Sequence, residues 1–147
     1  MAVSAVFYDN FVLSCLKGDI DLDTATVKLM LCTASYTPNK ATHVFKSSVN
    51  NEVTGTAYTA GGATVSGVTT ALASAVVKIT ADDVQWADST IANARYAVLY
   101  ISTGSDATSR LIGYIDFGEN VSSTAADFDV AWDDTDGVGT FTVAAAA

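Results

Sequence analysis

The C-terminal third of the chain, residues 94–143, contains a series of apolar segments in which alternate residues share a face. In one of them Phe128, Val130 and Trp132 alternate with aspartate and alanine. A strand points successive side chains to opposite faces, whereas a helix repeats every ~3.6 residues, so this spacing favours strands. The segment 95–101 is apolar at both odd and even positions. The pattern predicts a mainly β chain of short strands, an antiparallel β-sandwich of jelly-roll-like form.

An N-terminal segment has a different periodicity. Within Ser4–Leu16, apolar residues recur at three- and four-residue spacing, which predicts a helix with its first residue as N-cap and Gly18 as its C-terminal stop. We assign 1–18 to this helix or arm, which packs on the domain's own sheet or docks on a neighbouring subunit. The 147 residues suit a single domain, and 144–147 are expected to fray.

The remaining elements follow from strand and turn signals. A polar, glycine-dotted stretch, 43–67, predicts a long functional loop. Asp136-Gly137 is a hairpin signal, because glycine accepts the positive φ that such turns require. Further strands are predicted at 27–33, within 69–80 with its end at 76–79, around 84–86, at 110–118 and at 138–143.

Charge narrows the function classes. Acidic residues outnumber basic ones by 16 to 7, giving a net charge of −9. This charge repels phosphate backbones, so no nucleic acid is expected as a partner. The N-terminus lacks a basic start, and no apolar run approaches the ~20 residues that span a bilayer, so we expect synthesis in the cytoplasm and no membrane contact.

The residues that could act in catalysis form no recognisable motif. His43 is the single histidine, and no nucleophile motif accompanies it, so we expect no enzyme, no catalytic residues and no cofactor. Cys15 and Cys32 lie among apolar residues, which favours buried thiols over a disulfide.

Two groups of aspartates could offer oxygen ligands to Ca²⁺. A strand edge with outward-facing acids accounts for the first group, and a solvated hairpin tip for the second, so we expect no metal site. The two groups are Asp19, Asp21 and Asp23, and Asp133, Asp134 and Asp136.

The main functional prediction from the residue pattern comes from the two predicted strands that are rich in tyrosine. Segments 96–101 and 111–115 are apolar on both sides, and a small sandwich covers only one face of each strand. The surplus predicts a subunit interface, with Arg95 and Arg110 as ion-pair partners. The apolar members of this interface are Tyr96, Tyr100, Ile112 and Tyr114. Together with Trp86 and Trp132, the three tyrosines could alternatively form a sugar-binding platform.

The order and spacing of several blocks resemble a family of small virion structural proteins of tailed bacteriophages. The blocks are Gly18-Asp-Ile-Asp-Leu-Asp23 leading into Val27-Lys-Leu-Met-Leu31, Ala34-Ser-Tyr-Thr-Pro38 with His43, Asn51-Glu-Val-Thr-Gly-Thr-Ala-Tyr-Thr-Ala-Gly-Gly62, Ala81-Asp-Asp-Val-Gln-Trp86, Ala94-Arg-Tyr-Ala-Val98 and Leu111-Ile-Gly-Tyr-Ile-Asp-Phe-Gly118.

The resemblance implies a capsid decoration or cement protein on the outside of a phage head. Its partners would be the major capsid protein and further copies of itself, as a homotrimer. It also implies lattice contacts in the segment that contains Asn51, Glu52 and Tyr58. A tail or neck component is the nearest alternative. A carbohydrate-binding surface module is the competing class, and an enzyme comes third.

Overall fold

The computed structural model describes residues 4–132 and 138–142. In these residues the chain is mainly β, with antiparallel sheets and one α-helix, which confirms the predicted class. The jelly-roll arrangement is not confirmed. The helix α1 spans Asp9–Lys17, and the strands are β1 (Ser4–Phe7), β2 (Val27–Thr33), β3 (Gly55–Thr56), β4 (Ala63–Thr64), β5 (Thr69–Ala73), β6 (Val76–Thr80), β7 (Val84–Ile101), β8 (Leu111–Val130) and β9 (Gly139–Thr142).

The centre of the fold is one long hairpin of β7 and β8. It pairs from Tyr100 opposite Leu111 out to Val84 opposite Val130. The prediction of separate short strands here is therefore wrong. Repeated register shifts interrupt the pairing, and Asp88 lies at one of them with a φ of 48°. Such bulges bend and twist a long strand pair without ending it.

The described strands form two sheets. The larger sheet has the order β1–β8–β7–β2–β4, with β3 also paired to β7, and the smaller has the order β5–β6–β9. The predicted hairpin around Asp136-Gly137 is wrong in its pairing. Gly139 of β9 lies opposite Ile79 of β6, and Val130 pairs with β7. The turn residues themselves lie outside the described part of the chain, as does the predicted frayed tail 144–147.

Both faces of the larger sheet are buried by this chain. On one face, Leu29 and Leu99 belong to a core that includes Ile79 of the smaller sheet. On the other face, Met30 and Val98 pack with aromatic side chains, including Tyr36 from the connection after β2. The large sheet is thus the middle of the fold, which explains why β2 and the inner half of β7 are apolar on both sides.

The N-terminal prediction is partly wrong. Ser4–Phe7 is a strand paired with β8, and the helix begins only after Tyr8, its N-cap. Pairing with β8 outweighs the helical spacing of this segment. Gly18 ends the helix with a φ of 79°, as predicted. Phe11 is buried in the domain's own core, so α1 packs on its own domain. No helix among the described residues is both long and apolar enough to cross a membrane.

Candidate binding surfaces

The interface predicted from two-sided apolar strands is not available as free surface. Tyr100 and Ile112 are 2% and 3% exposed. Tyr100 also donates a hydrogen bond to the backbone carbonyl of Gly61 at 2.6 Å. The premise of surplus apolar surface is wrong, because the connection after β2 covers the second face of the sheet.

The other two predicted tyrosines, Tyr96 and Tyr114, are half-buried at the rim of an aromatic cluster, with ring centroids 6.3 Å apart. Deeper in it, the hydroxyls of Tyr8 and Tyr36 share a hydrogen bond of 2.8 Å, and Tyr36 Oη lies 3.0 Å from Nδ1 of His43. Burial raises the pKa of Tyr36 to about 12 and that of Tyr8 further. His43 is therefore part of a packed structural network.

Both predicted arginines form ion pairs within the chain. Arg95 Nε lies 2.6 Å from Oδ1 of Asp116, on the neighbouring strand. Arg110 Nη2 lies 3.2 Å from Oδ2 of Asp19 and ties the turn after α1 to the start of β8. Both side chains are about one-quarter exposed, so these pairs are partly open to water.

The loop residues suggested for lattice contacts hold the loop against the sheet. Glu52 Oε1 accepts the hydroxyl of Tyr58 at 2.7 Å and the backbone N–H of Gly61 at 2.6 Å. Tyr58 Oη in turn accepts the backbone N–H of Leu31 at 2.9 Å. Burial raises the pKa of Tyr58. Of the three predicted residues, only Asn51 is exposed.

The tryptophans do not form an open sugar-binding platform. Trp86 is 5% exposed and packs between Tyr58 and Phe128, with ring centroids at 5.7 and 6.0 Å. Trp132 is half-buried, and its Nε1 donates to the backbone carbonyl of Asp82 at 2.8 Å. Both side chains serve the packing of the β7–β8 hairpin.

The first aspartate group forms a turn, so the predicted strand edge is wrong here. Asp21 accepts the backbone N–H of Asp23 and the hydroxyl of Thr24, both at 3.1 Å. This side-chain cap favours a turn over an extended segment. Ile20 points into the core as expected. No group of three potential metal ligands occurs in 4–132 or 138–142, and the second aspartate group lies outside those ranges.

The two cysteines are free thiols. Cys32 is buried in β2, and burial raises its pKa to about 12. Cys15 is half-buried in α1, and burial raises its pKa as well. Cys32 is thus buried as expected, whereas Cys15 is only half-buried.

An apolar groove, which we call the helix–hairpin groove, runs between α1 and the β5–β6 hairpin and has a volume of about 440 Å³. Leu16, on its helix side, is 82% exposed. Asp21 and Asp23 add carboxylates to the lining. The other lining residues are Phe11, Val12, Cys15, Ile20, Leu22, Thr70, Val77 and Ile79.

The groove is not predicted from the sequence. Val12 and Leu16 belong to the apolar spacing that predicts a packed helix face, yet both are exposed. One feature of the sequence does indicate an unusual surface on the β5 side of the groove. No charged residue occurs between Glu52 and Lys78, in a chain that is otherwise strongly acidic. We call residues 53–77 the uncharged segment; it includes β5, whose Leu72 is 69% exposed.

Comparison of the chain with protein-family models, with curated proteins and with solved structures gave no match. The likeness to phage virion proteins therefore stays a hypothesis, and the binding surfaces are interpreted below from their physical chemistry.

Proposed function

We propose that this chain is a non-enzymatic structural protein of a phage virion, which binds the outside of the head and joins neighbouring shell subunits. The helix–hairpin groove carries this proposal. Leu16, 82% exposed at its edge, is the kind of apolar surface that marks a protein interaction site when it continues into a groove.

Charge defines the occupant of the groove. Asp21 and Asp23 line it, and the whole molecule carries a net charge of −9. An apolar side chain flanked by Lys or Arg would fill the floor and meet the carboxylates with opposite charge. We therefore assign the groove to an apolar residue, flanked by basic ones, on the major capsid protein.

The engagement of the polar residues supports a structural role. His43 is hydrogen-bonded within the aromatic cluster, and Glu52 holds a loop against the sheet. Arg95 and Arg110 are paired with aspartates of the same chain. These side chains stabilise the fold, whereas the apolar groove is a feature suited to a partner.

Add-back to purified virus particles tests the proposal. Recombinant protein is mixed with particles stripped of loosely bound proteins, and binding is measured by co-sedimentation. Wild-type protein should bind heads, and Leu16→Ser should weaken binding ~10-fold or more, because a buried leucine contributes about 1.5–3 kcal/mol. Leu13→Ser is the matched control, since Leu13 lies on α1, is 45% exposed and does not line the groove.

Three results would change the assignment. Binding to tails or necks alone would favour the tail or neck alternative. Equal loss in Leu16→Ser and Leu13→Ser would remove the groove from the mechanism. Binding to immobilised glycans, with none to particles, would favour the carbohydrate-binding module.

A further inference from the structure

Strand β5 is an open sheet edge. It pairs with β6 from Thr69 opposite Thr80 to Ala73 opposite Val76, and no described strand pairs with its other side. All five of its residues are exposed. Its outer backbone N–H and C=O groups are therefore available to another strand.

This edge lacks the features that normally prevent strand pairing. Exposed edges usually carry charges, proline or a bulge. The strand Thr69-Thr-Ala-Leu-Ala73 has neither charge nor proline, and its register with β6 contains no shift. The turn after it is only Ser74-Ala75, both residues with positive φ, so no long loop shields the strand from that end.

Electrostatics indicates what can approach the edge. Two copies of a protein with a net charge of −9 repel each other over most approaches. The uncharged segment removes like-charge contacts from β5. The nearest charge on the adjoining strand is Lys78, opposite Ala71. Two such lysines in a joined sheet would be three strand spacings, or about 14 Å, apart, which exceeds the Debye length of about 8 Å in physiological salt.

We propose that β5 pairs antiparallel with β5 of a second copy, about a two-fold axis at Ala71. In this register Leu72 of each copy lies opposite Thr70 of the other. Thr70 lines the helix–hairpin groove, and Leu72 shares its face of the strand, so pairing covers part of the exposed leucine beside the groove. The two small sheets become one continuous sheet.

The inference rests on the self-association that accompanies the proposed function, and it adds a surface and a symmetry. A two-fold contact is isologous and closes as a dimer. The homotrimer implied by the phage resemblance would need a second contact elsewhere on the molecule.

Cysteine cross-linking tests the register. In a Cys15→Ser background, Ala71→Cys places two thiols opposite each other across the axis, with Cα atoms ~4.5–5.5 Å apart, within reach of a disulfide. Ala73→Cys is the matched control, because Ala73 is also exposed on the same face but would lie opposite Thr69 of the second copy, four positions away from that copy's Ala73. Mild oxidation should give a covalent dimer of Ala71→Cys and leave Ala73→Cys monomeric on a non-reducing gel.

Light scattering after size-exclusion chromatography provides the second readout, without oxidant. Wild-type protein should have the mass of a dimer or a multiple of it. Leu72→Lys should raise the concentration needed for association at least ~10-fold, because the two edges then carry like charges. Circular dichroism checks that the variants are folded.

The outcomes separate the two proposals. Equal cross-linking of both cysteine variants would mean random collision and would overturn the inference. An oligomer whose Ala71→Cys variant fails to cross-link, or a closed trimer, would overturn β5 pairing and leave the proposed function standing. A protein that is monomeric at all concentrations and still binds heads would overturn β5 pairing and leave the proposed binding to heads standing.

Discussion

Arg95 and Asp116 form an ion pair across the β7–β8 hairpin, with 2.6 Å between Nε and Oδ1. Asp116 Oδ1 also accepts the backbone N–H of Gly118 at 2.8 Å. The hydrogen bond from Arg95 is the main reason why the pKa of Asp116 lies below its ordinary value of 3.8. The carboxylate is thus more acidic in the folded chain than in the unfolded one.

The pair should therefore contribute to acid stability. A lowered folded-state pKa favours the folded state above about pH 3.8, and this contribution is lost as the pH falls through the lowered pKa. We expect Asp116→Asn to lower the free energy of unfolding at neutral pH and to flatten its decline in acid, as measured by urea denaturation at several pH values. Asp23→Asn, which also removes one carboxylate from the surface, is the matched control for the change in net charge. If the free energy of unfolding of Asp116→Asn declines in acid as steeply as that of the wild type, the ion pair does not contribute to acid stability.

The hydroxyl of Tyr58 should matter for stability. Tyr58→Phe leaves the backbone N–H of Leu31 without its acceptor and removes a donor from Glu52, so we expect a loss of about 1–3 kcal/mol in the free energy of unfolding. Tyr114→Phe is the control, since its half-buried hydroxyl makes no hydrogen bond among the described residues. If chemical denaturation shows equal losses in the two variants, the hydrogen bonds of the Tyr58 hydroxyl do not hold the loop against the sheet.

The aromatic cluster, which includes Tyr36 and Tyr100, should determine the pH at which the fold is lost in alkaline solution. Burial raises the pKa of Tyr36 and of Tyr100 to about 12 from the ordinary 10.0. Raised pKa values favour the folded state fully below pH 10.0, and this contribution is lost as the pH rises towards 12. Tyrosinate absorbance should show a late-titrating group that appears together with the loss of near-UV circular dichroism. Ionisation of all tyrosines near the ordinary value, with the fold intact, would contradict the burial.

Gly62 should be intolerant of any side chain. Its φ is 76°, and a Cβ there would lie 1.8 Å from the carbonyl oxygen of Leu29, so Gly62→Ala must displace backbone. Gly104 has a φ of 86° and open space around it, so Gly104→Ala should cost only the ~1–2 kcal/mol of a left-handed residue. Thermal denaturation should show a much larger loss for Gly62→Ala. Equal shifts would mean that β4 can move away from β2.

Local patterns predicted the elements that depend on local physics. The bounds of β2 follow from a mostly apolar run that Lys28 interrupts, and Gly18 ends α1 because glycine readily adopts a positive φ. The continuity of β7 could not be predicted in this way. Its middle, around Asp88 and Asn93, is polar and bulged, and is held as a strand by pairing with β8. Ser4–Phe7 likewise became a strand through a partner far along the chain.

The helix–hairpin groove shows a second limit. Its walls come from α1, from the turn after it and from β5–β6, so no contiguous motif announces it. The buried strand surface was misinterpreted for a related reason. Residues that are apolar on both sides indicate a sheet covered on both faces, but they do not indicate whether a subunit or a loop of the same chain provides the cover.

The geometry of the β7–β8 hairpin also orders the events of folding. Tyr100 and Leu111 are close in sequence and can pair after closing a short loop, whereas Val84 and Val130 are the most distant partners in the hairpin. Pairing that starts at the inner end has the lowest entropic cost, so we expect the outer end, where Trp86 packs against Phe128, to pair last. If the hairpin opens in the reverse order, we expect the amide hydrogens of that outer end to exchange with solvent first.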